Sequence, residues 1–137
     1  MIKANIKTIL QSLDTDGVEN FADINFGAPE IAIAIHNRYG SNIDILSVDA
    51  HCQFIPPPHE LLEKYMALLN KAGVQNTAIR VIDNQKKLRP YDILASIDSF
   101  GTNFKIKPLR KIMDKALHAQ SRVIMNIKKG SGSYPFL

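Results

Sequence analysis

The 137-residue sequence has no tryptophan and one cysteine, Cys52, so it cannot form an intramolecular disulfide or a multi-cysteine zinc site. No apolar run reaches the ~18–20 residues that a membrane-spanning helix needs, and the N-terminus lacks the apolar stretch of a secretory signal. Glycine and proline, at seven each, are too few for a fibrous chain. With 45% hydrophobic residues, the sequence predicts one globular domain over residues 1–137, by default cytoplasmic.

Acidic residues are scarce in the last third of the chain. Residues 1–85 hold six Lys/Arg against ten Asp/Glu, a net charge of −4, whereas residues 86–137 hold eleven against three, a net charge of +8. This basic third either meets an anionic partner or forms solvated faces of helices and loops. Since only Phe104 is available as a stacking aromatic beside the basic stretch 105–115, we do not expect a nucleic-acid partner.

Apolar periodicity divides the chain into alternating helices and strands. Helical spacing predicts helices over 2–13, 30–39, 59–72 and 108–119, and short apolar runs predict strands near 18–25, 43–48, 77–82, 91–97 and 122–127. The Ile/Ala alternation within 31–35 also fits a strand, but Pro29 before it and Gly40 after it favour a helix. The segment after Ile127 is predicted to be a loop.

The connection between the third and fourth strands determines the topology. Strands separated by helices predict a parallel sheet, and parallel neighbours need a crossover of a dozen or more residues. Because residues 83–90 are too few, the fourth strand should pair with the first strand instead of the third. We therefore predict an α/β fold in three layers: an open parallel sheet of five strands in the order 3-2-1-4-5, with helices on both faces. Ligands bind such sheets at the switch point beside the first strand.

Two strand ends carry candidate binding residues. The first strand runs into Asp-Ile-Asn-Phe-Gly-Ala-Pro over residues 23–29, a strand-to-helix turn with one glycine, Gly27. Asp49 ends the second strand 22 residues later, where a carboxylate can accept both hydrogen bonds of a ribose diol. Alternatively, Asp49 is an ordinary loop or helix-capping acid.

These elements together resemble the Rossmann-like class of S-adenosylmethionine-dependent methyltransferases, over about residues 18–137. In that family the first strand ends in acid-x-Gly-x-Gly-x-Gly. Asp23 matches the acid and Gly27 the central glycine, whereas Asn25 and Pro29 replace the other two glycines. The stretches 91–101 and 123–137 are also similar, more loosely, to bacterial sugar O-methyltransferases.

The resemblance implies a set of residues that contact S-adenosylmethionine. The first turn would hold the amino-acid part, the second strand end the ribose and the third strand end the adenine, while the segment 96–101 would face the methionine part and the acceptor. The implied residues are Asp23, Asn25, Phe26, Gly27, Ala28, Asp49, Ala50, Asp83, Asn84 and Ser96.

The resemblance implies methyl transfer, with a sugar or another small hydroxylated molecule as acceptor. The catalytic base is not identified; Asp98 is the best-placed carboxylate, and ordering its loop is an equal alternative. A second hypothesis is a non-catalytic Rossmann-like module that binds a nucleotide or a partner chain. A phosphate-accepting receiver domain is a weaker alternative, because the acidic pair it needs is missing. Asp49, His51, Cys52 and His59 match no zinc pattern, so no metal site is expected.

The family core usually has seven strands, and the predicted pattern stops after the fifth. Three explanations stay open: a partial reading of a longer gene, a five-stranded domain that covers its fifth strand by forming a homodimer, or a degenerate member that binds ligand without catalysis.

Overall fold

A computed structural model of the protein describes residues 3–13 and 16–128. Its helices are α1 (Lys3–Ser12), α2 (Pro29–Tyr39), α3 (His59–Lys71) and α4 (Arg110–Ala116). Its strands are β1 (Asn20–Ile24), β2 (Asn42–Leu46), β3 (Ile79–Ile82), β4 (Tyr91–Ser96) and β5 (Leu117–Met125). Short 3-10 turns span Asn76–Ala78, Gln85–Lys87 and Lys107–Leu109. No helix of this part of the chain is long and apolar enough to cross a membrane.

The sheet confirms the predicted topology. Its five strands run in the order β3-β2-β1-β4-β5, and every neighbouring pair is parallel. The β3–β4 connection contains only the 3-10 turn Gln85–Lys87. The chain consequently leaves β3 at one edge of the sheet and enters β4 on the other side of β1, which places the switch point between the carboxyl ends of β1 and β4.

Helices cover both faces of the sheet, but unequally. On one face α1, α2 and α3 pack over a core that includes Phe21, Ile35 and Ile43, all fully buried. On the other face α4 is the one α-helix among residues 3–13 and 16–128. Its Ile112, with Leu109 of the preceding 3-10 turn, packs against a core that includes Leu94. The asymmetry follows from the missing β3–β4 crossover helix.

A buried charge cluster lies on the thinly covered face. Asp44 of β2 is fully buried and accepts two hydrogen bonds from Arg80, two from Arg89 and one from the Tyr91 hydroxyl, all between 2.6 and 3.1 Å. Burial alone would raise the pKa of Asp44, but the hydrogen bonds from the two arginines outweigh it and lower the pKa. Arginine stems thus cover part of the sheet face.

The fifth strand differs most from its prediction. The helix expected over 108–119 ends at Ala116, and β5 begins at Leu117. Leu117 lies opposite Tyr91, but Arg122 lies opposite Ile93, so residues 118–121 bulge out of the ladder. The Ser121 hydroxyl holds this bulge: it donates to the Tyr91 carbonyl and accepts from the His118 amide. Helical periodicity could not show the change, because the strand pairing that replaces the last helical turn is non-local.

Regular pairing of β5 covers residues 122–125. A bulge and a nearby charge such as Arg122 are features that discourage pairing between sheet edges. The homodimer expected through this strand stays a prediction.

Candidate functional site

A small cavity lies at the switch point. It has a volume of about 240 Å³ and is lined by residues of the turn after β1, the end of β2 and the loop after β4, among them Asn25, Phe26, Val48, Ile55 and Ser99. We call it the switch-point pocket.

Asn25 ties together the strand ends around this pocket. Its Oδ1 accepts from the Val48 amide at 2.9 Å, and its Nδ2 donates to the Ser99 hydroxyl at 3.2 Å. Asn25 and Phe26 both have left-handed backbones, with φ of 58° and 65°. Asparagine is among the residues that tolerate this conformation best. Asn25 therefore fits the turn, and its side chain links the end of β1 to the segments that follow β2 and β4.

Gly27 is required by a close approach of two backbones. A Cβ at this position would overlap the carbonyl oxygen of Ile97, just beyond β4. The glycine lets the turn pack directly on the end of β4. The next residue, Ala28, is buried and donates its amide to Asp23 Oδ2 at 2.9 Å.

Asp23 supports the turn from inside the protein. It is fully buried, and its Oδ2 also accepts from the Tyr65 hydroxyl of α3 at 2.7 Å. Its Oδ1 has no hydrogen-bond partner within residues 3–13 and 16–128. Burial raises the pKa of Asp23 to about 7, although the hydrogen bonds from Tyr65 and Ala28 oppose the shift. Asp23 thus orients the turn from beneath and does not line the switch-point pocket.

Asp49 lies in a short hairpin between β2 and α3. Val48 bridges Phe54 in antiparallel fashion, and the amide of Asp49 donates to the carbonyl of Gln53 at 2.9 Å. Asp49 Oδ1 accepts from the amides of His51 and Gln53, at 2.9 and 3.0 Å. The amide of Gln53 contributes most to lowering the pKa of Asp49, and it keeps the side chain ionised. Oδ2 accepts no hydrogen bond from the described part of the chain.

A larger groove lies on the other side of this hairpin. Its volume is about 480 Å³, and Cys52 and Phe54 form one wall while Gln85, Leu88 and Lys111 contribute to the others. Burial raises the pKa of the Cys52 thiol to about 12, so the thiol is neutral and a poor nucleophile at neutral pH. The hairpin that carries Asp49 thus supplies residues to both cavities: Ser47, Val48 and Ile55 to the switch-point pocket, and Cys52, Gln53 and Phe54 to the groove.

The remaining residues implied by the resemblance lie near the carboxyl edge of the sheet but differ in exposure and in their hydrogen-bond partners. Asp83 pairs with Lys87 Nζ at 3.2 Å, and Asn84 Oδ1 accepts from the Lys86 amide at 2.9 Å, so both border the groove residue Gln85. Ala50 is exposed in the hairpin turn. Ser96 is buried and donates to the Phe100 carbonyl at 3.0 Å, outside both cavities.

The structure thus brings part of the expected set together. Asn25 and Phe26 line the pocket, Asp49 and Ala50 lie on the hairpin that contributes other residues to both cavities, and Asp83 and Asn84 immediately precede the groove residue Gln85. Asp23, Gly27 and Ala28 shape the turn.

Sequence reasoning missed the hairpin and the pocket residues that it supplies, Ser47, Val48 and Ile55. Leu61 at the start of α3 also lines the pocket. The apolar pair Phe54 and Ile55 ahead of three prolines was the one local signal of this second strand.

The candidate base Asp98 lines the pocket and is itself held by Asn126. The Asp98 amide donates to Asn126 Oδ1 at 2.8 Å, and Asn126 Nδ2 donates to Asp98 Oδ1 at 2.7 Å. This reciprocal pair orders the loop after β4, and among residues 3–13 and 16–128 no group donates a hydrogen bond to Asp98 Oδ2. Across the two described stretches, no three His, Cys, Asp or Glu side chains converge as a metal site would require.

Comparison with known proteins identifies the fold. No family model and no curated protein matches the sequence. An RNA methyltransferase of Salinibacter ruber, solved with S-adenosylhomocysteine, superposes with a TM-score of 0.66 at 16% identity over 95% of this chain and 79% of its own. A SAM-dependent methyltransferase of Thiobacillus denitrificans, also solved with S-adenosylhomocysteine, gives 0.65 at 11% identity over 91% of this chain and 48% of its own.

A protein of Nostoc punctiforme, assigned as an O-methyltransferase, gives a TM-score of 0.67 at 16% identity. The match covers 91% of this chain and 37% of the Nostoc protein, so the chain spans well under two thirds of that relative. Together with the strand order, these likenesses establish the Rossmann-like methyltransferase fold for the described sheet.

Proposed function

We propose that the chain binds S-adenosylmethionine across the carboxyl edge of its sheet and transfers the methyl group to a hydroxyl of a small acceptor such as a sugar, in the cytoplasm. One observation carries the proposal: Asp49 is fixed by two backbone amides, and its Oδ2 accepts no hydrogen bond from the described residues. It lies on a hairpin whose other residues line both cavities, Val48 and Ile55 the switch-point pocket and Cys52 and Phe54 the groove. The fold shared with methyltransferases supports the same placement.

The cofactor would lie across the Asp49 hairpin in three parts. The turn Asn25–Ala28 would hold the amino-acid part, Asp49 Oδ2 the ribose hydroxyls, and the apolar groove beside Asp83 and Asn84 the adenine. Ser96, beneath the loop after β4, would support this loop from within. The switch-point pocket alone, at about 240 Å³, is smaller than the ~300–1,000 Å³ usual for ligand sites, whereas pocket and groove together are large enough.

The protein's contribution to methyl transfer would be orientation and charge. The cofactor supplies an activated methyl group on a positively charged sulfur, and in-line displacement needs mainly alignment with the acceptor oxygen. Asp98, at the rim of the pocket, is positioned to accept the acceptor's hydroxyl proton through its free oxygen. The Asn126 pair fixes its orientation.

Titration calorimetry with S-adenosylhomocysteine tests the proposal. Wild type should bind, and Asp49→Asn should bind at least about tenfold more weakly, since an amide group replaces Oδ2, the charged acceptor proposed for the ribose hydroxyls. Glu63→Gln, an exposed acid of α3 outside the site, is the matched control and should bind like wild type. Absence of binding by wild type would contradict the proposal.

One feature favours a second candidate, a non-catalytic binding module. The Asn25 side chain bridges to Val48 and Ser99 and occupies space at the switch point. If it closes the pocket, Asn25→Gly should bind S-adenosylhomocysteine more tightly than wild type does. Binding by wild type, with no methyl transfer to any sugar or RNA in an acceptor panel, would support this second function over catalysis.

A further inference from the structure

The surface around α4 carries an uncompensated positive charge. Six exposed cations form what we call the basic band: Lys86, Lys105, Lys107, Arg110, Lys111 and Lys115. Asp114 lies within the band, and the nearby acid Asp83 is paired with Lys87. Within the described part of the chain, none of the six forms an ion pair. Six of the eleven cations of residues 86–137 thus lie on α4 and in the segments that lead to it or contact it.

The basic band begins at the rim of the switch-point pocket. Phe104 lines that pocket, and Lys105 follows it directly. At the other end, Lys115 Nζ donates to Gln85 Oε1 at 2.9 Å, which joins α4 to the 3-10 turn that carries Lys86. With a rise of about 1.5 Å per helical residue, residues 107–116 span roughly 15 Å, enough for several consecutive phosphates of a nucleic-acid strand.

A recess of about 290 Å³ interrupts the basic band. Ile106 and Met113 supply apolar side chains to it, and Lys107, Arg110 and Asp114 complete its lining. A recess with an apolar surface can accept an unstacked base, and an arginine guanidinium can stack on a base in place of an aromatic ring. The scarcity of aromatics near 105–115 therefore does not exclude nucleic acid, contrary to the expectation from sequence.

We infer that the basic band binds the phosphate backbone of single-stranded RNA, with a base in the recess beside Arg110, and so presents a ribose hydroxyl at the switch-point pocket. The acceptor hydroxyl would then belong to a sugar within an RNA strand instead of a small molecule. Methylation of this hydroxyl rests on the proposed function, but RNA binding itself does not. An anionic membrane surface fits less well, because the large hydrophobic side chains described as exposed, Leu61, Leu68 and Val123, all lie outside the band.

Fluorescence anisotropy with a labelled single-stranded 12-nucleotide RNA tests the inference. The double variant Lys105→Ala/Lys107→Ala should lose about tenfold or more in affinity at 50 mM salt, and its plot of log affinity against log salt should be shallower by about 0.7 per lost phosphate contact. Lys64→Ala/Lys71→Ala removes the same charge from α3, away from the band, and should change affinity less than about twofold.

Arg110→Lys separates charge from stacking. If a base stacks on Arg110, the variant should bind RNA several-fold more weakly while keeping the wild-type salt slope.

Three results would overturn the inference: no RNA binding at 50 mM salt, equal losses in the two double variants, or band-dependent binding to phosphatidylserine vesicles without RNA binding. Calorimetry with S-adenosylhomocysteine separates this outcome from the proposed function. RNA binding without cofactor binding would contradict the latter alone.

Discussion

Asn25 and Gly27, two positions apart in the turn after β1, have different structural roles. Asn25 adopts a left-handed backbone and uses its amide side chain to join three strand ends, whereas Gly27 has no side chain because the Ile97 carbonyl occupies that space. The departure of this turn from the glycine-rich motif does not by itself show these separate roles of Asn25 and Gly27. At this scale the turn is built to fix the carboxyl edge of the sheet.

Replacing Gly27 should cost stability even without any ligand. In Gly27→Ala the new Cβ overlaps the Ile97 carbonyl oxygen, and neither backbone can move without disturbing β1 or β4. We expect a loss of about 2 kcal/mol or more in the free energy of unfolding, measured by urea denaturation. Gly17→Ala, where a Cβ would meet nothing within 4 Å, is the control and should change stability by less than about 1 kcal/mol. Equal effects would contradict the close-approach argument.

Asp23 should give the protein a pH-dependent stability. Its pKa is raised from 3.8 to about 7 in the folded chain, so the folded state binds the proton more tightly than the unfolded state does. The stability contributed by the protonated form is fully present below about pH 4 and is lost as the pH rises to about 7. In Asp23→Asn this loss disappears, because the side chain no longer ionises.

Urea denaturation of wild type and Asp23→Asn from pH 4 to 8 measures this contribution. The free energy of unfolding of the variant, relative to that of wild type, should rise by about 1.4 kcal/mol for each pH unit between the two pKa values of Asp23, 3.8 and about 7. Asp83→Asn, in an exposed ion pair, should show a much smaller trend. If the difference in the free energy of unfolding between wild type and Asp23→Asn stayed constant from pH 4 to 8, ionisation of Asp23 would not destabilise the fold, and the prediction would be wrong.

At the scale of elements, the missing β3–β4 helix has two consequences. It forces β4 to the other side of β1, and it leaves a sheet face that Arg80 and Arg89 cover through Asp44. The position of β4 could be predicted, because the number of residues between β3 and β4 is a local property of the sequence. The second could not, because the partners of Asp44 lie on β3 and just before β4, 36 and 45 residues away.

Removing the central acid of this cluster should be costly. Asp44→Asn leaves two cations facing each other without their shared carboxylate, and breaking a buried ion pair typically costs about 3–5 kcal/mol. We expect a value near the lower end, because the Arg80 and Arg89 side chains keep 41% and 28% exposure. The free energy of unfolding measures the effect. A loss below 1 kcal/mol, as for the surface change Asp83→Asn, would contradict the structural role assigned to the cluster.

The hairpin after β2 and the bulge in β5 show the same limit of sequence reasoning. Both depend on pairing with residues whose position is set by the fold: Phe54 with Val48, and Leu117 and Arg122 with β4. Asp49 could be picked out as a candidate because it follows a predicted strand. The two amides that hold its Oδ1 belong to the hairpin turn, and this turn is fixed by the Val48–Phe54 pairing, which local sequence patterns do not show.

Across the whole molecule, the acidic and basic parts of the sequence form different parts of the fold. The turns proposed to hold the cofactor belong to the acidic part of the chain, and α4 with its basic band belongs to the basic part. The carboxyl edge of the sheet joins the two, with the switch-point pocket on one side of the Asp49 hairpin and the apolar groove on the other. We propose that an adenosyl cofactor lies across this edge.

Backbone amide NMR during titration with S-adenosylhomocysteine tests that claim most directly. We expect saturable shift changes at residues 25–28, 47–53 and 83–85, with residues 98 and 99 also affected. The bulge at 118–121, near the opposite ends of the strands, should stay unchanged. Shifts confined to the bulge, or no saturable shifts at all, would contradict cofactor binding at the carboxyl edge.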